Sequence, residues 1–173
     1  MVDATEYRTF KKGEYLVQAG EVMNDICFLE SGIFRGSFVD VNGKDITDCI
    51  GFYQGTPAIA FCRMEVNFPS PDAIEMLTDG SFFCIPISVI VELLKGYQEL
   101  MLLYNRLLIA SLDMHWKMKK VLHQYSAPQR YQWFLKEYPG LISQIRNKYI
   151  ASFLGMTPVT LSRLRRVLRE ENE

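Results

Sequence analysis

From residue 10 to residue 87 the apolar residues come in short runs: "YLVQAG", "DICFLESG", "IFRGSFVDV", "KDITDCIGFY", "DAIEML" and "SFFCIPI". The runs are rich in aromatic and β-branched residues, and most are closed by Gly, Asn or Asp. This predicts short strands at a spacing of about ten residues, the pattern of a sandwich or barrel. Val41-Asn42-Gly43-Lys44 predicts a tight hairpin in which both central residues take positive φ. After Pro86 the period changes, and "ISVIVELLKG" reads as a short helix stopped by Gly96.

From Tyr97 to about Gln124 the chain has neither Gly nor Pro. Roughly 28 helical residues would extend about 42 Å. Along this helix Leu100, Leu103, Leu107, Ala110 and Met114 alternate steps of three and four, the spacing of a coiled-coil seam. A second stripe, Met101, Tyr104, Leu108 and Leu112, lies on an adjoining face. One side is expected to meet the chain's own strands and the other a partner helix; the alternative is a helix buried wholly within one chain.

Ser126 suits an N-cap with Pro128 in the first turn, and the helix through "QRYQWFLKEY" ends before Pro139-Gly140. In "NKYIASFLGMTPVTLSRLRR", small or apolar residues occupy Ile150, Ala151, Leu154, Met156, Leu161 and Leu164, with Gly155 between the halves. A helix-turn-helix needs these features: a small residue where the helices cross, a glycine at the turn, and apolar positions that clamp the second helix to the first. Thr157 is a good N-cap and Pro158 suits the first helical position. With Leu161, Leu164 and Leu168 inward, helical spacing places Val159, Thr160, Arg163 and Arg166 outward. Arg163 could read the O6 and N7 of a guanine, and Val159 or the Thr160 methyl a thymine methyl. Arg146, Lys148, Thr157, Arg165, Arg166 and Arg169 are expected to hold phosphates. Six such contacts would give a log–log salt slope of about −5 per subunit. A cationic hairpin used for protein contacts is the competing reading.

Charge sharpens this picture. The formal net charge is −1, but residues 1–138 carry a net −4, residues 139–169 carry six basic residues and no acid, and the tail adds three glutamates. A basic block at one end points to an acidic partner for that end, most commonly a phosphate backbone. At 173 residues and 49% hydrophobic the chain can bury a sizeable core, and no apolar stretch reaches membrane-spanning length. The N-terminus lacks a signal core, so a cytoplasmic protein is expected. Cys27, Cys49, Cys62 and Cys84 are 22, 13 and 22 residues apart, which suggests buried thiols rather than a zinc site or a disulfide framework.

The two halves together resemble the cyclic AMP receptor and fumarate-nitrate regulator (Crp/Fnr) family of bacterial transcription factors over nearly the whole chain. The N-terminal match is carried by Gly13, Leu16, Gly20-Glu21, the run Ile26 to Leu29 and Ser31-Gly32 in "FKKGEYLVQAGEVMNDICFLESGIFRGSF". The C-terminal match is the helix-turn-helix, where Arg163 falls at the family's base-reading arginine. The resemblance implies an α+β protein: a cyclic-nucleotide-binding-like β-roll (double-stranded β-helix) over 1–96, a dimerisation helix over 97–125 and a helix-turn-helix DNA-binding domain over 126–173. It also implies a homodimer on a palindromic operator, an effector in the roll, and RNA polymerase as a further partner. The sequence stops at Glu173, just past the recognition helix, so no β-wing contacts are expected and the two helices would supply more of the affinity.

The effector positions depart from the pattern. Relatives that bind cyclic nucleotides carry Phe-Gly-Glu and then Arg-Ser/Thr-Ala; here the stretches read Phe52-Tyr53-Gln54 and Ser70-Pro71-Asp72-Ala73. Without the Arg there is no bidentate phosphate partner, and Asp72 would repel the phosphate. Arg63 is close in sequence and could substitute. Phe52, Gln54, Arg63, Ser70 and Asp72 therefore mark a degenerate pocket of unknown ligand, not expected to take cAMP, and no resident cofactor is expected. The cysteines are not grouped as in the family's iron–sulfur sensors, and His115 and His123 lie on the long helix rather than in the roll. No His precedes residue 115, no G-x-S-x-G and no phosphate-binding glycine loop occur, so a metal site or an enzyme is not expected. A β-roll module whose helical tail binds another protein remains the rival to a DNA-binding regulator.

Overall fold

The computed structural model of the chain describes residues 4–58 and 66–170. Strands β1 (Glu6–Phe10), β2 (Tyr15–Val17), β3 (Asp25–Ser31), β4 (Phe34–Val39), β5 (Asp45–Gly51), β6 (Ala73–Met76) and β7 (Gly80–Pro86) precede five helices. These are α1 (Ile87–Gly96), α2 (Gln98–Gln124), α3 (Ala127–Glu137), α4 (Asn147–Phe153) and α5 (Pro158–Glu170). The strands form a three-stranded sheet, β1-β7-β3, and a four-stranded sheet, β2-β6-β4-β5. Six strands and all five helices follow the sequence pattern. The exception is β1, whose residues carry no strand pattern of their own; it pairs antiparallel with β7, Tyr7 opposite Phe83.

The chain divides into two compact units: residues 1–38 with 49–113, and residues 39–48 with 114–173. Helix α2 contributes to both. In the first unit, Cys27, Leu29, Phe82 and Cys84 from one sheet meet Val17, Phe34, Ile74 and Met76 from the other in a single core. Alternation along β3 turns Ile26 and Phe28 to the opposite face, where they pack with Ile87, Ile90 and Val91 of α1 and with Tyr104 and Leu108 of α2. Where β3 ends and β7 begins, the chains touch backbone to backbone. A Cβ on Gly80 would lie 2.3 Å from the Ser31 carbonyl oxygen, and one on Gly32 would lie 2.8 Å from the Gly80 Cα.

Two sequence expectations are corrected. The hairpin between β4 and β5 is not a two-residue turn: the Gly43 N–H donates to the Asp40 carbonyl, Asp40 N–H to the Lys44 carbonyl, and of Asn42 and Gly43 only the glycine has positive φ (78°). This is a three-residue loop, in which one left-handed residue suffices. The second concerns the thiols. Cys27 and Cys84 are direct cross-strand partners with Cα atoms 4.0 Å apart, and their sulfurs are joined as a disulfide. A separation of 57 residues hides this until β3 and β7 are in register.

The second unit is built around Phe134, Leu141, Ile150, Ala151, Leu154 and Leu161, all buried. Trp133, Phe134 and Tyr138 of α3 and its C-cap surround Phe153 of α4 with ring centroids 5.7 to 6.3 Å apart. Ser126 caps α3, accepting from and donating to its first turn with Gln129 as the reciprocal partner.

Candidate nucleic-acid interface

Helices α4 and α5 are joined by Leu154–Thr157, and the joint is closed by backbone bonds from Gly155 N–H to the Ser152 carbonyl and Met156 N–H to the Ala151 carbonyl. Gly155 takes φ 60°, and an added Cβ would lie 3.0 Å from Arg130 Nη1 and 3.2 Å from Leu122 Cδ2. A residue with a side chain would be strained there and crowded as well. Of the expected scaffold, Ile150, Ala151, Leu154 and Leu161 are fully buried and Leu164 is half-buried. The clamp on α5 leaves its opposite face free.

That opposite face gathers Pro158, Val159, Ser162, Arg163 and Arg166 around one shallow depression. Val159 is 61% exposed. Arg163 is exposed, with no acidic partner among the described residues, whereas Arg166 Nε lies 3.7 Å from the Glu170 carboxylate in an exposed i,i+4 pair. Such a pair holds the guanidinium only weakly, since solvent screens it. Thr157 caps α5 by accepting the Thr160 N–H, and the two hydroxyls are also bonded. Ser162, absent from the sequence reading, sits one helical turn from Val159; the same i,i+3 spacing that selected Arg163 and Arg166 reaches it.

The remaining cations are distributed differently. Arg146, at the N-cap of α4, and Lys148 are exposed, and the Lys148 ammonium lies 4.7 Å from the centre of the Tyr149 ring. Arg165 turns toward α4, donating from Nη1 to Asn147 Oδ1 and tying the two helices together. The Arg169 side chain lies outside the described residues. Arg130 of α3 donates to the Gly155 carbonyl at 3.3 Å and braces the turn from behind. The Ser152 hydroxyl on α4 accepts the Thr47 N–H at 2.9 Å, so it meets the backbone at the start of β5 within the same unit. Neither contact has a signature in the spacing of α4 and α5.

In the first unit the effector positions are engaged in local bonds. Gln54 Nε2 donates to the Glu30 carboxylate at 2.7 Å, Phe52 stacks obliquely on Tyr53, and the Ser70 hydroxyl donates to the Asp72 carbonyl. Arg63 lies outside the described residues. A charge the sequence reading passed over is instead buried: Arg35 on β4 faces Glu75 on β6, with Arg35 Nη2 2.7 Å from the carboxylate and side-chain exposures of 5% and 13%. On α2, Tyr104 and Leu108 turn to the sheet while Leu103, Leu107, Ala110 and Met114 are exposed and Leu100 is half-buried. Among the described residues there is no group of His, Cys, Asp and Glu that could hold a metal ion, and no helix long and apolar enough to cross a membrane.

No family model matches the chain, and no curated protein matches it by sequence. Solved structures do. FixK2 from Bradyrhizobium japonicum superposes with a TM-score of 0.84 at 16% identity, covering 97% of this chain and 86% of that one. The c-di-GMP-responsive global regulator CLP of Xanthomonas campestris gives a TM-score of 0.76 at 10% identity, covering 99% and 89%. A protein from Eubacterium rectale assigned to the Crp/Fnr family of transcriptional regulators gives 0.72 at 17% identity, covering 98% and 81%. The chain has the fold of Crp/Fnr regulators over the 97 to 99% of its length that these structures cover.

Proposed function

We propose that the chain is a homodimeric DNA-binding transcription regulator of the Crp/Fnr type that places α5 in the major groove of a palindromic operator. The observation that carries this reading is the face of α5: Val159, Ser162, Arg163 and Arg166 exposed together on a helix whose other side is clamped by fully buried residues. Apolar contact and cationic donors on one rigid face are what base edges and flanking phosphates require. Val159, Thr160 and Arg163 read bases, Thr160 through its methyl group. Arg146, Lys148, Thr157, Arg165, Arg166 and Arg169 hold phosphates, Arg165 with a guanidinium whose Nη1 is bonded to Asn147. The exposed Leu103, Leu107, Ala110 and Met114, with Leu100, form the dimer seam. The roll over 1–96 receives a small-molecule effector other than cAMP, 97–125 joins the subunits, and 126–173 binds DNA; the protein works in the cytoplasm beside RNA polymerase and catalyses no reaction.

The test is retention of a randomised duplex DNA pool on the purified protein at two salt concentrations, followed by sequencing. An enriched palindrome with half-sites about one helical turn apart is the expected result. No retention at low salt would replace this reading with that of a β-roll module whose helical tail binds protein.

A further inference from the structure

We propose that Cys27 and Cys84 are a reversible dithiol–disulfide pair whose state sets how firmly α2 is seated on the three-stranded sheet. The two residues are opposite one another on β3 and β7, their Cα atoms 4.0 Å apart, and both are buried in the roll's core. On the reverse side of the same stretch of β3, Ile26 and Phe28 form the bed for α1 and for Tyr104 and Leu108 of α2. Sulfurs that share a bond lie closer than two thiols in van der Waals contact. Reduction therefore adds volume at the pair inside a close-packed core. The strand carrying the bed of α2 has to move.

The placement also provides a route for exchange. Strand β3 is an edge of its sheet, and among the described residues it is covered there by the short segment 55–58, whose Ala58 N–H donates to the Cys27 carbonyl. Edge strands with few backbone bonds open first, so local release of this segment exposes the pair without global unfolding. The co-reactant is a low-molecular-weight disulfide such as oxidised glutathione. One cysteine thiolate attacks it, forming a mixed disulfide and releasing one glutathione thiolate; the second cysteine thiolate then attacks the protein-bound sulfur and releases the other. The protein loses two electrons and two protons, and the glutathione disulfide becomes two thiols. The setting rests on the proposed function: a bacterial DNA-binding protein works in a reducing compartment, where disulfides are generally transient and often redox-sensing.

The full chain, reduced and then equilibrated in glutathione buffers of increasing oxidation, is alkylated and its trapped thiols are counted by mass. The four cysteines of the reduced chain are expected to fall to two in one step, with Cys27 and Cys84 linked and Cys49 and Cys62 still alkylated. Hydrogen exchange of amides 98–113 is expected to be about threefold or more slower in the disulfide form. In Cys84→Ala that exchange should no longer respond to glutathione; if the variant fails to fold, the wild-type measurements decide. A pair that cannot be reduced without unfolding, a pair that oxidised glutathione does not close, or α2 exchange equal in the two forms would each overturn the proposal. DNA retention is measured separately on both forms, and its absence from both would count against the regulator reading alone.

Discussion

The Thr157 hydroxyl accepts the backbone N–H of Thr160 at 3.1 Å and lies 2.9 Å from the Thr160 hydroxyl. The first turn of α5 is thus closed by the same oxygens that a groove-facing surface would otherwise offer, and Thr160 itself is half-buried. Thr157→Ala should lower stability by about 1 kcal/mol in urea unfolding, and Thr157→Ser should retain most of it. Equal midpoints for wild type and Thr157→Ala would show that the cap is worth nothing here.

Arg163 and Arg166 lie one turn apart on the exposed face yet should fail differently. Arg163→Ala is expected to cost about 1 to 3 kcal/mol on the selected site and to relax sequence preference at one position per half-site. Arg166→Ala should weaken selected and random duplexes alike and reduce the salt slope by about 0.9 per subunit. Quantitative binding to both duplexes across salt separates the roles. Equal losses on both duplexes for both variants would remove the distinction.

Gly155 predicts a cost that burial alone does not. Gly155→Ala must hold φ 60° and meet Arg130 and Leu122 at 3.0 and 3.2 Å, so it should destabilise the helical unit by about 1 kcal/mol or more. Met156→Ala, at a half-buried neighbour without either constraint, is the comparison in thermal unfolding. If Gly155→Ala unfolds no earlier than wild type, the turn does not need its glycine.

Leu103 and Leu107 are exposed on α2. Leu103→Glu with Leu107→Glu should convert a dimer to a monomer by light scattering, while far-ultraviolet circular dichroism stays unchanged. A double variant of unaltered mass would move the subunit contact elsewhere.

Asp79 links two loops through the Lys12 N–H at 2.8 Å and the Lys11 ammonium at 3.1 Å. The backbone N–H of Lys12, and then the ammonium of Lys11, hold its carboxyl below the usual aspartate value. A carboxyl lowered in the folded state stabilises the fold above its unfolded value of about 3.9, and that contribution is lost as pH falls through the folded value. Asp79→Asn should therefore lower the urea midpoint near neutral pH and show a smaller further drop on acidification. Parallel pH profiles would show that the contact has no linkage.

The helices were legible because each carries its own periodicity and punctuation. Gly96 ends α1, Ser126 and Gln129 cap α3, and Gly155 separates two apolar stripes whose spacing names the buried face without any knowledge of the roll. Strand β1 was not legible: "EYRTF" mixes polar and aromatic residues at a sheet edge, and only pairing with β7 makes it a strand. The disulfide, the Arg35–Glu75 pair and the hydrogen bond from Thr47 to Ser152 all join residues 40 or more positions apart. Register and topology create them. Local pattern also overstates what is free: Arg165 has the spacing of a phosphate contact, but its Nη1 is bonded to Asn147.

The Arg35–Glu75 pair has a consequence for how this sequence can drift. Replacing Arg35 alone leaves the Glu75 carboxylate largely buried without the guanidinium that faces it, a loss of about 3 to 5 kcal/mol, a large share of a domain's stability. Replacing both with apolar side chains of similar volume is close to neutral. The two positions are separate in the gene and coupled in inheritance: a single step at Arg35 carries that loss unless a change at Glu75 accompanies it. A library randomised at both codons and selected for folded protein should return opposite charges or paired hydrophobes, and lone charges only where a second substitution has already relieved them.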